Sequence, residues 1–144
     1  MIITDEEALR ITCEPVLPEE VDDLRAKLER ALEWSASQGR PGVGLACPQI
    51  GIGKQMCIIR PDKSIKIDLV NASITKSYNQ FEFEGEGCLS YPDRFERTLR
   101  YQEILVENNL VWPYRFILTD FLAVIAQHEL DHLKGVLLPD VAVR

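Results

Sequence analysis

Apolar residues recur at helical spacing in two stretches of this chain and cluster at strand spacing between them. The first stretch carries Val21, Leu24, Leu28, Ala31 and Leu32, three or four residues apart along one face. Pro18-Glu19-Glu20 suits its start, because proline fits the first helical turn and acids favour the helix N-terminus. Gly39 and Pro41 end it. The spacing predicts an amphipathic helix of about five turns packed on a sheet. Gly42, Gly44, Gly51 and Gly53, with Pro48, disfavour a regular helix in the next segment. Short apolar or alternating runs follow at residues 56–60, 65–70, 81–83, 98–107 and 111–116, and each predicts a strand. Asn108-Asn109 is the predicted hairpin turn between the last two, since asparagine tolerates positive φ.

The second helical stretch covers residues 120–133. Thr119 or Asp120 can cap its start, and Gly135 can close its end. Leu122, Ile125, Ala126 and Leu133 are expected to face inward. The order helix, strands, helix predicts an α+β fold. Mixed or antiparallel strands would pack around the C-terminal helix, with one N-terminal amphipathic helix, in a single domain over residues 1–144.

Apolar content of 46% and charged content of 27% are ordinary for a globular chain. The net charge is −7, and no two Lys or Arg residues are adjacent. That argues against nucleic-acid binding and against an anionic membrane surface. The acidic start Met1-Ile-Ile-Thr-Asp-Glu-Glu lacks the apolar core of a signal peptide, and no apolar run reaches membrane-spanning length. A cytoplasmic monomer is expected. Cys13, Cys47, Cys57 and Cys88 form no C-x-x-C pair, so free thiols or metal ligands are favoured over disulfides.

Chemistry concentrates in the second helix. Gln127-His128-Glu129-Leu130-Asp131-His132-Leu133-Lys134-Gly135 contains H-E-x-x-H, with the only two histidines of the chain. Residues i and i+4 of a helix lie about 40° apart around its axis, so both imidazoles can reach one ion. The enclosed Glu129 can act on a water held by that ion. A catalytic site wants a third protein ligand. Little chain remains downstream of His132, so that ligand is expected upstream. Cys88, in Glu86-Gly87-Cys88-Leu89-Ser90, is the strongest candidate, because a glycine beside it permits close backbone approach and a thiolate suits Zn²⁺ or Fe²⁺. Cys13 and Cys57 read as buried apolar residues, and Cys47 is ambiguous. Gln49, in the glycine-rich segment, can donate its amide to a developing oxyanion.

Together, G-V-G-L-A-C-P-Q-I-G, E-G-C-L-S and Q-H-E-L-D-H-L-K-G resemble the three signature motifs of peptide deformylases, in the family's order. Cys47 departs from the alanine more often found there. The resemblance implies a metal-dependent hydrolase that removes the formyl group from N-formylmethionyl peptides of nascent proteins and releases formate. It implies Cys88, His128 and His132 as ligands of Fe²⁺, for which Zn²⁺, Ni²⁺ or Co²⁺ can substitute. Glu129 would be general base and acid, and Gln49 with the Leu89 N–H would form the oxyanion hole. Gly44 would present its main chain to substrate. Val43, Val124 and Ile125 would wall the methionine pocket, and Glu86 and Arg100 would form a supporting ion pair. Only residues 136–144 follow Gly135, as in short members encoded by bacteriophages, so transient ribosome proximity without a C-terminal docking helix is expected. The cytoplasm would then be that of a bacterium or of a phage's host. Residues 136–138 should pack back on the core, since Pro139 disfavours helix continuation. The alternatives are a zincin-type metallopeptidase, which would need a further His or Glu ligand, and a non-catalytic module with a structural metal, which would close all four positions.

Overall fold

In the computed structural model, which describes residues 1–144, the chain forms ten regular elements. Helices α1 (Glu6–Leu9) and α2 (Val21–Ser37) come first, followed by strands β1 (Gly44–Ala46), β2 (Met56–Ile59), β3 (Ile67–Val70), β4 (Ser73–Cys88), β5 (Tyr91–Glu107) and β6 (Arg115–Thr119). Helices α3 (Asp120–Leu133) and α4 (Leu138–Val141) end it. The strands form two three-stranded antiparallel sheets, ordered β1-β2-β3 and β4-β5-β6. No helix is long and apolar enough to cross a membrane.

The alternation of β2 explains the layering. Met56 and Ile58 join Leu24, Leu28 and Leu32 of α2 in one buried cluster. Cys57 and Ile59 point the other way, into a second cluster with Ala123, Ala126, Leu130 and Leu133 of α3. A strand covered on both faces can be wholly apolar, as this one is. The second sheet adds Ile104, Val106 and Leu118 to the cluster around α3. Helix α3 is therefore packed between the two sheets.

Both long helices end in the same way. Gly39 (φ 82°) and Gly135 (φ 72°) adopt the left-handed conformation just past α2 and α3. The N–H groups of Gly39 and Arg40 reach back to the Ala36 and Ser35 carbonyls, and those of Gly135 and Val136 to His132 and Asp131. Each is a Schellman closure.

Several local expectations need correction. The expected strand at 111–116 starts late: residues 108–114 form a loop with a cis Trp112–Pro113 bond, and pairing with β5 begins at Arg115. Asn108-Asn109 is no two-residue turn. Asn108 is buried and ties the loop to the other sheet, its side chain accepting from the Val70 N–H (2.7 Å) and donating to the Asp68 carbonyl (2.8 Å). The positive φ falls on Leu110 instead. The 81–83 run is only the middle of β4, whose other residues are mostly exposed. Strand β1 and the 3₁₀ turn Cys47–Ile50 lie where a loop was expected. Neither Thr119 nor Asp120 caps α3 through its side chain. Leu137 and Leu138 do pack into the core, but Pro139 sits in the first turn of α4, where a missing N–H costs nothing.

Candidate metal and catalytic site

Three separate pieces of chain meet beside α3. The last two turns of α3 carry His128, Glu129 and His132, all buried. Strand β4 ends at Cys88, where the β4–β5 hairpin turns back. Strand β1 and the turn after it bring Gly44 and Gln49. Close approach here depends on absent side chains. A Cβ on Gly44 would lie 2.8 Å from Glu129 Oε2, and one on Gly42 would lie 2.6 Å from Leu89 Cδ1.

One donor atom from each of Cys88, His128 and His132 lies within 4.8 Å of the other two. Cys88 Sγ and His132 Nε2 are 3.4 Å apart. Two ligands of one tetrahedral zinc or iron, at ordinary sulfur and nitrogen distances, would be about 3.5 Å apart. His128 Nδ1 is 2.7 Å from Glu86 Oε2, which leaves Nε2 as its metal-facing nitrogen, a common arrangement around metal-binding histidines. Three donors from the protein leave one tetrahedral position open. The residues present thus fit a divalent ion with a free position.

Glu86 is the centre of the supporting network. It accepts from Arg100 Nε (2.8 Å) and Nη2 (2.5 Å), and from Thr98 Oγ1 (2.7 Å). Arg100 Nη1 also donates to Asp131 Oδ2 at 2.7 Å. Burial alone would raise the Glu86 pKa, but Arg100 and His128 overcome it and hold it at about 2. Glu86 is therefore a fixed anion behind His128. Glu129 has no such partner. Burial pushes its pKa up to about 7, and its Oε1 makes no hydrogen bond. Gln49 is anchored at both ends: Oε1 accepts from the Ala46 N–H at 3.0 Å, and Nε2 donates to Ser90 Oγ at 3.0 Å and lies 3.6 Å from Cys88 Sγ.

A cleft of about 360 Å³ opens onto this group. Val43, Gly44, Gln49, Cys88, Leu89, His128 and Glu129 line it. Val124 and Ile125 are not among the residues that line this opening. They are buried where α3 runs between the sheets, and Ile125 belongs to the central core. Cys57 and Cys47 are fully buried in the apolar clusters and stand apart from the Cys88–His128–His132 group; Cys13 is half-buried against the core. Sequence reasoning missed Ser90, Thr98 and Asp131. Asp131 and Ser90 stand inside the motifs that drew attention to their neighbours. Thr98 and Arg100, two apart on a strand with a buried face, were a readable sign of a polar cluster.

The polypeptide deformylase family pattern matches residues 1–144. A peptide deformylase of Heliobacterium modesticaldum is 45% identical over 101 residues, covering 69% of this chain and 66% of that protein. Among solved structures, the peptide deformylase of Thermotoga maritima superposes with a TM-score of 0.85 at 30% identity, covering 100% of this chain and 97% of that one. A probable peptide deformylase from Synechococcus phage S-SSM7 superposes at 0.82 with 32% identity, covering 98% of each chain.

Proposed function

The chain belongs to the peptide deformylase family, and on that premise we propose that it removes the formyl group from N-formylmethionyl peptides and releases formate. The observation that carries the reading is the meeting of Cys88, His128 and His132 next to Glu129, where Cys88, His128 and Glu129 line an open cleft. A divalent ion held by those three residues, Fe²⁺ with Zn²⁺, Ni²⁺ or Co²⁺ as substitutes, supplies Lewis acidity and acidifies the attacking water.

The chain's own groups do the rest. Glu129, whose carboxylate no other side chain engages, takes the water's proton. Burial favours the protonated carboxyl, which suits a group that must hold that proton and return it to the leaving amine. Gln49 Nε2 and the Leu89 N–H donate to the formyl oxygen as it gains charge. Ser90 and the Ala46 N–H keep the Gln49 amide from rotating. Glu86 orients His128 through Nδ1, and Arg100 and Thr98 fix Glu86. Val43 and Leu89 provide apolar wall for the methionine side chain. Residues 1–144 read as one catalytic domain, active as a cytoplasmic monomer on chains leaving the ribosome.

Incubating the metal-loaded protein with formyl-Met-Ala-Ser and with its acetyl counterpart tests this reading. Formate should be released from the first, while the acetyl methyl obstructs the second. A protein holding stoichiometric metal yet inert towards the formyl peptide would overturn it.

A further inference from the structure

Outside the metal site, the charged residues lining the cleft are Arg40, Asp93 and Arg94. Arg94 is already balanced: Nε donates to Glu96 Oε2 at 2.5 Å, and its guanidinium lies 5.7 Å from the centre of the Tyr91 ring. Arg40 makes no ion pair, although the chain carries a net charge of −7. Its backbone is nevertheless fixed. The N–H bonds to the Ser35 carbonyl at 3.0 Å, and the carbonyl accepts from Ser35 Oγ at 2.6 Å. Ser35 is a buried hydroxyl on the apolar stripe of α2, and this bond occupies it. The Schellman closure and the buried serine thus hold an unpaired cation at the rim of a cleft in an acidic protein.

The position of Arg40 sets what it can meet. Gly44 touches Glu129, so it marks the reacting end of the cleft. Arg40 precedes Gly44 by four residues, at most about 13 Å of extended chain. Strand β1 pairs with β2 on one side only, which leaves its other edge along the cleft open. An extended peptide advances by about the same 3.3 Å per residue. With the formyl group at Glu129, a distance of that size reaches the third or fourth residue, counting formylmethionine as the first.

Resting on the deformylase reading, we propose that Arg40 is a specificity residue that recognises a carboxylate side chain at the third or fourth position of the formylated peptide. Asp93 lines the same cleft and offsets part of the preference, which keeps the expected effect small. An exposed pair of this kind is worth about two- to fivefold and weakens with salt.

The test compares kcat/KM of the metal-loaded protein on formyl-Met-Ala-X-Ala and formyl-Met-Ala-Ala-X-Ala peptides, with X as Glu, Gln or Lys. One set is amidated at the C-terminus and one set is free. At low salt, the Glu-to-Lys ratio in the amidated set should exceed unity by about two- to fivefold. It should fall towards unity in Arg40→Gln, invert in Arg40→Glu, and shrink less in Arg94→Gln. A folding defect lowers both rates together and leaves the ratio unmoved. A ratio that persists in both Arg40 variants overturns the assignment, as does a preference confined to the free C-terminus, which would mean that the terminal carboxylate is what is read. Absence of turnover on every peptide would contradict the deformylase reading itself, and this inference with it.

Discussion

Gly44 leaves open the space that Glu129 uses. A Cβ there would stand 2.8 Å from Glu129 Oε2 and 3.0 Å from the Ile58 carbonyl, which belongs to strand β2 and cannot yield. Gly44→Ala is therefore expected to displace Glu129 and lower kcat/KM by up to about 100-fold, with the far-UV circular dichroism unchanged. Activity within twofold of wild type would show that the carboxylate does not need its present place. The cysteines separate just as sharply. Cys88 lines the cleft 3.4 Å from His132 Nε2, whereas Cys57 is closed in the core. Cys88→Ala should lose metal and activity together. Cys57→Ala should keep its metal and show only the modest destabilisation of a small core vacancy. Metal analysis of both purified variants decides this, and full occupancy in Cys88→Ala would remove the thiolate from the ligand set.

Helix α3, which carries His128 and His132, is held at its C-terminal end by groups remote in sequence. Gly135 closes it at φ 72°, and a Cβ there would meet nothing nearer than 3.7 Å, so only the backbone conformation resists a side chain. Gly135→Ala should cost about 1–2 kcal/mol in urea unfolding; no change would mean that the closure does not matter to α3. Arg10 joins the same end, donating to the Gly135 carbonyl (2.6 Å) and pairing with Asp140 of α4 (2.8 Å). The Arg10 side chain and the Leu137 N–H lower the Asp140 pKa below its ordinary 3.8. A lowered acid stabilises the fold above its unfolded pKa and loses that contribution as the pH falls through the folded value. Asp140→Asn should therefore melt below wild type at pH 7, and the gap should close as the pH drops below 3.8. A gap that stays constant down to pH 2.5 would rule out the carboxylate as its source. What the sequence disclosed follows the same logic. Helices α2 and α3 were legible because each has one apolar stripe and a glycine stop, and β2 because it is buried on both faces. Most of β4 was not, because its polar residues pair across a hairpin largely open to solvent, and pairing leaves no mark on hydropathy. Strand β1 is three residues long and set among glycines that read as loop. That Cys88, His128 and His132 could meet was legible from motif spacing. Spacing along α3 identifies Val124 and Ile125 as a buried face without saying what covers it.

Across the whole molecule, two sheets enclose one helix, and the chemistry sits where that helix meets the ends of β1 and β4. No single element could form the site: Glu86 and Cys88 come from one sheet, Gly44 from the other, and the histidines from the helix between them. The Glu86–Arg100–Asp131 network ties the second sheet to α3 directly behind the ligands, so support for the fold and orientation of His128 are one structure. At the centre of this arrangement is Glu129, proposed to move the proton in a metal-dependent deformylation. The most direct test is the turnover of formyl-Met-Ala-Ser by Glu129→Gln, with the metal content measured in the same preparation. Gln fills the same space, and the ligands are untouched. Full metal occupancy is expected, with kcat reduced by about 10²–10⁴. A metal-loaded Glu129→Gln protein that turns over at near the wild-type rate would contradict the proposed role.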